Sequence, residues 1–139
     1  MGRGDRSLAS RYNFCSLANR VDGSGPAAGL LQATNGSLYG TTSEGGANVD
    51  GTVFSLAVGL APFVESLPGT GKISSRVQIL GTDLTGAISV AFNDTPAGFI
   101  VVSPYLITAT VPAGATTGTI QVVTPHGTLS SNVPFRVIP

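Results

Sequence analysis

Residues 76–92 read RVQILGTDLTGAISVAF, and the spacing of their apolar side chains decides the fold. Val77 and Ile79 alternate with Arg76 and Gln78, and Ile88, Val90 and Phe92 alternate with Ser89 and Ala91. A period of two belongs to a strand that buries one face, whereas an amphipathic helix repeats its apolar residues every three or four positions. Between the two runs lies GTDLTG (81–86), rich in turn formers. The stretch predicts two half-buried strands joined by a loop.

The same pattern continues to the end of the chain. Phe99 and Val101, then Ile107, Ala109 and Val111, then Ile120 and Val122, then Val133, Phe135 and Val137 each mark one inward face. NDTPAG (93–98), SP (103–104), PAGATTG (112–118) and PHGTLSSN (125–132) separate them as turns. Strands recurring every ~8–12 residues indicate a sandwich or barrel. With an edge strand around Ala61–Glu65 the count is about seven, which suits a small immunoglobulin-like β-sandwich at 59–139.

Toward the N-terminus the texture changes. RYNFCS (11–16), GLLQA (29–33), SLYGTT (37–42) and TVFSLA (52–57) are four short strand candidates, and TNGS (34–37) offers an Asn-Gly turn for a tight hairpin. SEGGANVDG (43–51) is too glycine-rich for regular structure. No segment combines a cap, a helical period and adequate length, so the chain reads as all-β. The boundary falls in VGLAPF (58–63), and residues 1–10 read as a flexible tail.

Composition limits the function. The chain has 139 residues, 42% of them hydrophobic and only 10% charged, with a formal net charge of zero. That is the composition of a folded domain, and it offers no basic face for a nucleic acid or an anionic membrane. The first ten residues lack the apolar run of a secretory signal, and no stretch approaches the ~20 apolar residues of a membrane-spanning helix. Cys15 is the only cysteine, so no internal disulfide or cysteine-rich zinc site is available.

Candidate chemistry is sparse. PGTGKISS (68–75) imitates a phosphate-binding loop, but that loop needs Gly-x-x-x-x-Gly-Lys before Ser or Thr, with a helix following. Here Ser66 stands at the first glycine position, Ile73 follows Lys72, and RVQILG continues as a strand. Gly69 and Gly71 then read as turn residues leading into Arg76. Arg3-Gly4-Asp5 lies in the tail. Cys15 reads as a small buried residue, and His126 as an exposed turn residue in the other domain, so the two form no nucleophile-base pair.

Asp22, Glu44, Asp50, Glu65, Asp83 and Asp94 are scattered singly. Asp22 and Asp50 with the 43–51 loop are the candidates for a weak calcium site, without the usual carboxylate spacing. Asp83 and Asp94 read as turn residues. Asn35 and Asn93 sit in NGS and NDT acceptor patterns that matter only in a eukaryotic secretory setting. No catalytic, cofactor-binding or metal residue is assigned.

The stretch from about Phe63 to Val137 resembles the IPT/TIG domain, the immunoglobulin-like domain of plexins and transcription factors. The carrying residues are V-x-I-x-G-T-D-L-x-G-A from Val77, V-x-F-N from Val90, and I-T-A-T-V-P-A-G-A-T-T-G-x-I-x-V-x-T-P-x-G from Ile107. Residues 12–57 look like one copy of the GloVer repeat of bacterial surface and secreted proteins. GLLQATNGSLYGTTSEGGA (29–47) and GTVFSL (51–56) carry that likeness.

The second resemblance implies a propeller-blade-like meander of four strands, with several copies in tandem. A single blade cannot bury both faces, so its open strand edges invite self-association. Together the resemblances imply a non-catalytic spacer or adhesive module at the cell surface, the C-terminal part of a longer bacterial extracellular repeat protein. Its partner would be a protein or glycan, with no cofactor, nucleic acid or membrane insertion. The alternative they imply is an accessory, carbohydrate-binding domain of a secreted carbohydrate-active enzyme, with Tyr12, Tyr39 and Tyr105 as the available tyrosines for stacking on sugar rings.

Overall fold

The structure is a computed structural model and describes residues 12–139. Arg3-Gly4-Asp5 and the expected tail lie outside the described residues. The chain divides into two compact units. The described part of the first is 12–31 and Leu38–Leu56; the second is Gln32–Ser37 with Ala57–Pro139.

The first unit is built on a sheet of three strands in the order β1 (Leu31–Gln32), β2 (Ser37–Thr42) and β3 (Thr52–Ala57). The fourth strand expected at 11–16 is absent over 12–16, where the chain turns with Cys15 at φ 63°. One 3-10 turn follows at Ala18–Arg20. Tertiary hydrogen bonds override the alternation of Tyr12, Phe14 and Cys15: the Asp22 carboxylate accepts from Ser16 N–H and Oγ, from Leu17 N–H and from the Tyr12 hydroxyl. Cys15 is therefore exposed, not buried. The tip at 33–36 also differs from a two-residue turn. Gly36 N–H donates to Ala33 O with Gly36 at φ +83°, giving a three-residue loop with the left-handed residue last.

Among its described residues this unit has no apolar core. Among the described residues every buried hydrophobic side chain lies at or beyond Phe63. Its buried positions are Gly23, Gly40, Thr42 and Gly45. Thr42 Oγ1 accepts from Thr52 N–H at 2.9 Å, lies 2.8 Å from Thr52 Oγ1 and donates to Glu44 O. At Gly51, φ +92°, a Cβ would collide with Thr42 O. The 43–51 loop is thus a packed, hydrogen-bonded element whose interior is backbone and hydroxyl.

The second unit is a sandwich of two antiparallel sheets. One has the order β4 (Glu65–Leu67), β6 (Arg76–Leu80), β10 (Leu106–Thr110), β9 (Phe99–Ser103). The other has the order β12 (Gly127–Ser130), β11 (Ile120–Thr124), β7 (Ser89–Phe92), β8 (Thr95–Ala97). A short parallel pair joins β5 (Thr70–Gly71) to β13 (Arg136–Val137). The alternation in 76–92 explains the core. Val77 and Ile79 pair with Ala109 and Ile107, and Val90 and Phe92 pair with Val122 and Ile120, all 2% exposed or less. Each fully buried Val, Ile or Phe stabilises by roughly 1.5–3 kcal/mol relative to exposure.

The sandwich has more strands than the expected seven, running from β4 to β13. NDTPAG holds β8 as well as a turn: Asn93 (φ 44°) and Asp94 (φ 66°) form a two-residue connection between the paired Phe92 and Thr95. Both central residues are left-handed, as a type I′ hairpin requires. PHGTLSSN likewise contains β12. The expected edge strand at 61–65 sits later, as β4, while Phe63 and Val64 are buried. Ile88 and Val133, expected to face inward, are 65% and 61% exposed because each lies outside a strand.

Candidate functional site

PGTGKISS folds as bend, strand β5 and turn, followed by strand β6. Its closing turn is made by Ser75, whose N–H and Oγ both donate to Lys72 O, with Ser74 at φ 69°. Gly69 lies in the bend as expected, without a positive φ, whereas Gly71 lies in β5 and not in a turn. Gly71 is needed for space instead: a Cβ there would lie 3.0 Å from the Phe135 ring and 2.7 Å from Ser75 Oγ. With Lys72 exposed and a strand following, no helix N-terminus is present to hold a phosphate.

Among the described residues no three His, Cys, Asp or Glu side chains group closely enough to hold a metal ion. Asp22 is occupied by its local donors. Desolvation pushes its carboxyl up, but the Ser16 N–H and hydroxyl, its own N–H and that of Leu17 outweigh this and hold it below the usual Asp value. Glu44 pairs with Arg20 at 3.8 Å, both well exposed, a contact worth at most about 1 kcal/mol. Asp83 (φ 57°) lies in a bend and Asp94 (φ 66°) in a turn, both in the left-handed region. Cys15 and His126 belong to different units.

The second unit does gather polar groups in one cleft of about 350 Å³. Its wall is made by Thr82 and Asp83 from the β6–β7 loop, with Thr124, His126 and Thr128 from the β11–β12 hairpin, and by Asn35. Ala61, Pro62 and Leu129 supply apolar surface. The hairpin is fixed locally, since His126 N–H donates to Thr124 Oγ1, which donates to Gly127 O. The β6–β7 loop is anchored by Leu84, fully buried, whose N–H donates to Pro104 O. Thr34 Oγ1 and Thr82 Oγ1 are 3.0 Å apart. Such a cleft can exchange hydrogen bonds with a small polar ligand. Sequence reading missed it because its residues are spread from 35 to 129 with no motif spacing.

Two antiparallel sheets around one apolar core, with the chain crossing between them at Gly98, define an immunoglobulin-like sandwich. A family model described as IPT/TIG domain matches residues 62–137, more than half of the chain, and the chain belongs to that family. Domains of this family are in general non-catalytic immunoglobulin-like modules, often used for binding or as spacers. The comparisons do not show the repeat expected at 12–57. No curated protein matches the chain.

Proposed function

We propose that the protein is a non-catalytic structural and binding module of a bacterial extracellular protein, acting as a spacer or adhesive domain. The match of residues 62–137 to the IPT/TIG family is the observation that carries this reading. The sandwich supplies a rigid frame, and its loops and the Thr82–His126 cleft supply the surface for recognition. Residues 12–57 are proposed as a blade-like repeat, supported by the three-stranded sheet and its Asn35-Gly36 tip.

The direct test is protease accessibility in the bacterium that produces it. Protease added to intact cells is expected to degrade the protein, whereas protection until the cells are lysed would contradict an extracellular role. Tyr105, 63% exposed in the β9–β10 turn, is the observation favouring the carbohydrate-binding alternative. A glycan array in which Tyr105→Ala abolishes a signal would favour that reading, and an array with no signal would dismiss it.

A further inference from the structure

Exposed strand edges attract other chains unless they are short, charged, bulged or covered. The sandwich manages all four of its sheet edges. β4 is three residues long, carries Glu65 and is followed by Pro68, and β8 is three residues long with Pro96 in its middle. β9 has a bulge opposite Leu106 and Ile107, and Ser130 of β12 accepts from Val64 N–H.

Among the described residues, the first unit leaves the outer edge of β3 unmanaged. β3 has six residues, with no charge and no proline, and stands at the end of its sheet. Among the described residues no backbone hydrogen bond outside that sheet reaches Val53, Phe54, Ser55 or Leu56. Thr52 to Leu56, odd and even positions alike, line a cleft of about 400 Å³, as a strand's edge does and its face does not. Val53 is 76% exposed. Asp22 is the one acidic group lining the cleft, and its oxygens already have donors.

We propose that the outer edge of β3 pairs with β3 of a second copy of this chain, antiparallel about Ser55. Centring the two-fold on a residue keeps the two faces in phase, because side chains alternate along a strand. Phe54 then meets Leu56 of the second copy, extending the face that already carries the Phe14–Phe54 contact at 4.8 Å. A second copy fits this edge for two reasons. The strand has no charge to repel itself, and a unit whose described residues include no buried apolar side chain gains apolar contact from a second identical sheet.

The test is sedimentation velocity of the full chain over a wide concentration range, with Val53→Lys and Ile100→Lys variants. Ile100 is exposed on β9 and serves as the control edge. The wild type is expected to show a monomer–dimer equilibrium, weakened at least about tenfold by Val53→Lys and unaffected by Ile100→Lys. Far-UV circular dichroism should be the same for all three. Ser55→Cys in a Cys15→Ser background should form a disulfide-linked dimer on mild oxidation, since opposed residues have Cβ atoms about 4.5–5.5 Å apart. A chain that stays monomeric throughout, or a dimer broken by Ile100→Lys and not by Val53→Lys, would overturn the proposal.

Discussion

Phe135 and Val133 share a face in a simple alternating strand, yet the structure gives them opposite fates, and replacing each by alanine separates the two descriptions. Phe135 is 1% exposed, its ring packed edge-on against Phe92 at 5.1 Å with the Gly71 backbone beneath it. Its N–H and C=O also bridge to Gly118, so the backbone cannot move freely to fill a void. Phe135→Ala should therefore cost about 3–5 kcal/mol. Of that, about 0.5–1.5 kcal/mol is the loss of the aromatic pair beyond its buried area.

A domain of this size has roughly 4–12 kcal/mol in total, so the variant should sit near the limit of folding. Val133→Ala should stay within about 0.5 kcal/mol of wild type, since its side chain already meets solvent. The chain lacks tryptophan and Tyr105 is exposed, so urea unfolding followed by far-UV circular dichroism is the suitable assay. Phe135→Ala should move the thermal midpoint down by at least about 12 °C. Equal losses at 133 and 135, or a loss under about 1 kcal/mol at Phe135, would refute the packing argument.

Asp22 has its folded pKa below the unfolded value of about 3.9, so the folded state binds fewer protons and its contribution is complete above that value. It is lost as pH falls through the folded pKa; amide exchange at Ser16 and Leu17 should accelerate there, and Asp22→Asn should remove the dependence. Asp94→Gly should raise stability by up to about 1 kcal/mol in thermal melts, because glycine carries no penalty at φ 66° in a type I′ turn. Gly118→Ala should lower the melting midpoint, since a Cβ there would run into the Asn93 side chain, whose amide donates to Thr116 Oγ1.

The core of the sandwich was legible because β6, β7, β10 and β11 each combine strict alternation with burial on one side, and periodicity reports that directly. Legibility ended where another force set the conformation. Tyr12–Ser16 alternates like a strand, but the Asp22 carboxylate captures the amides of Ser16 and Leu17, a contact no periodicity encodes. β8 lies in NDTPAG, which reads as a turn because it is rich in turn formers, yet an edge position tolerates Pro96. Gly71 was legible as a special residue, but its reason, the approach of Phe135, comes from a strand far along the chain. The polar cleft around His126 was invisible for the same reason.

Stability resides in the apolar core of the second unit, while the described part of the first, 12–31 and Leu38–Leu56, is held by backbone and hydroxyl hydrogen bonds around glycine. Native-state amide hydrogen exchange tests it strand by strand. Amides of β6, β7, β10 and β11 are predicted to exchange only through global unfolding, and those of β2 and β3 through openings of much lower free energy. Equal protection of β2, β3 and the sandwich strands in the monomeric chain would contradict it.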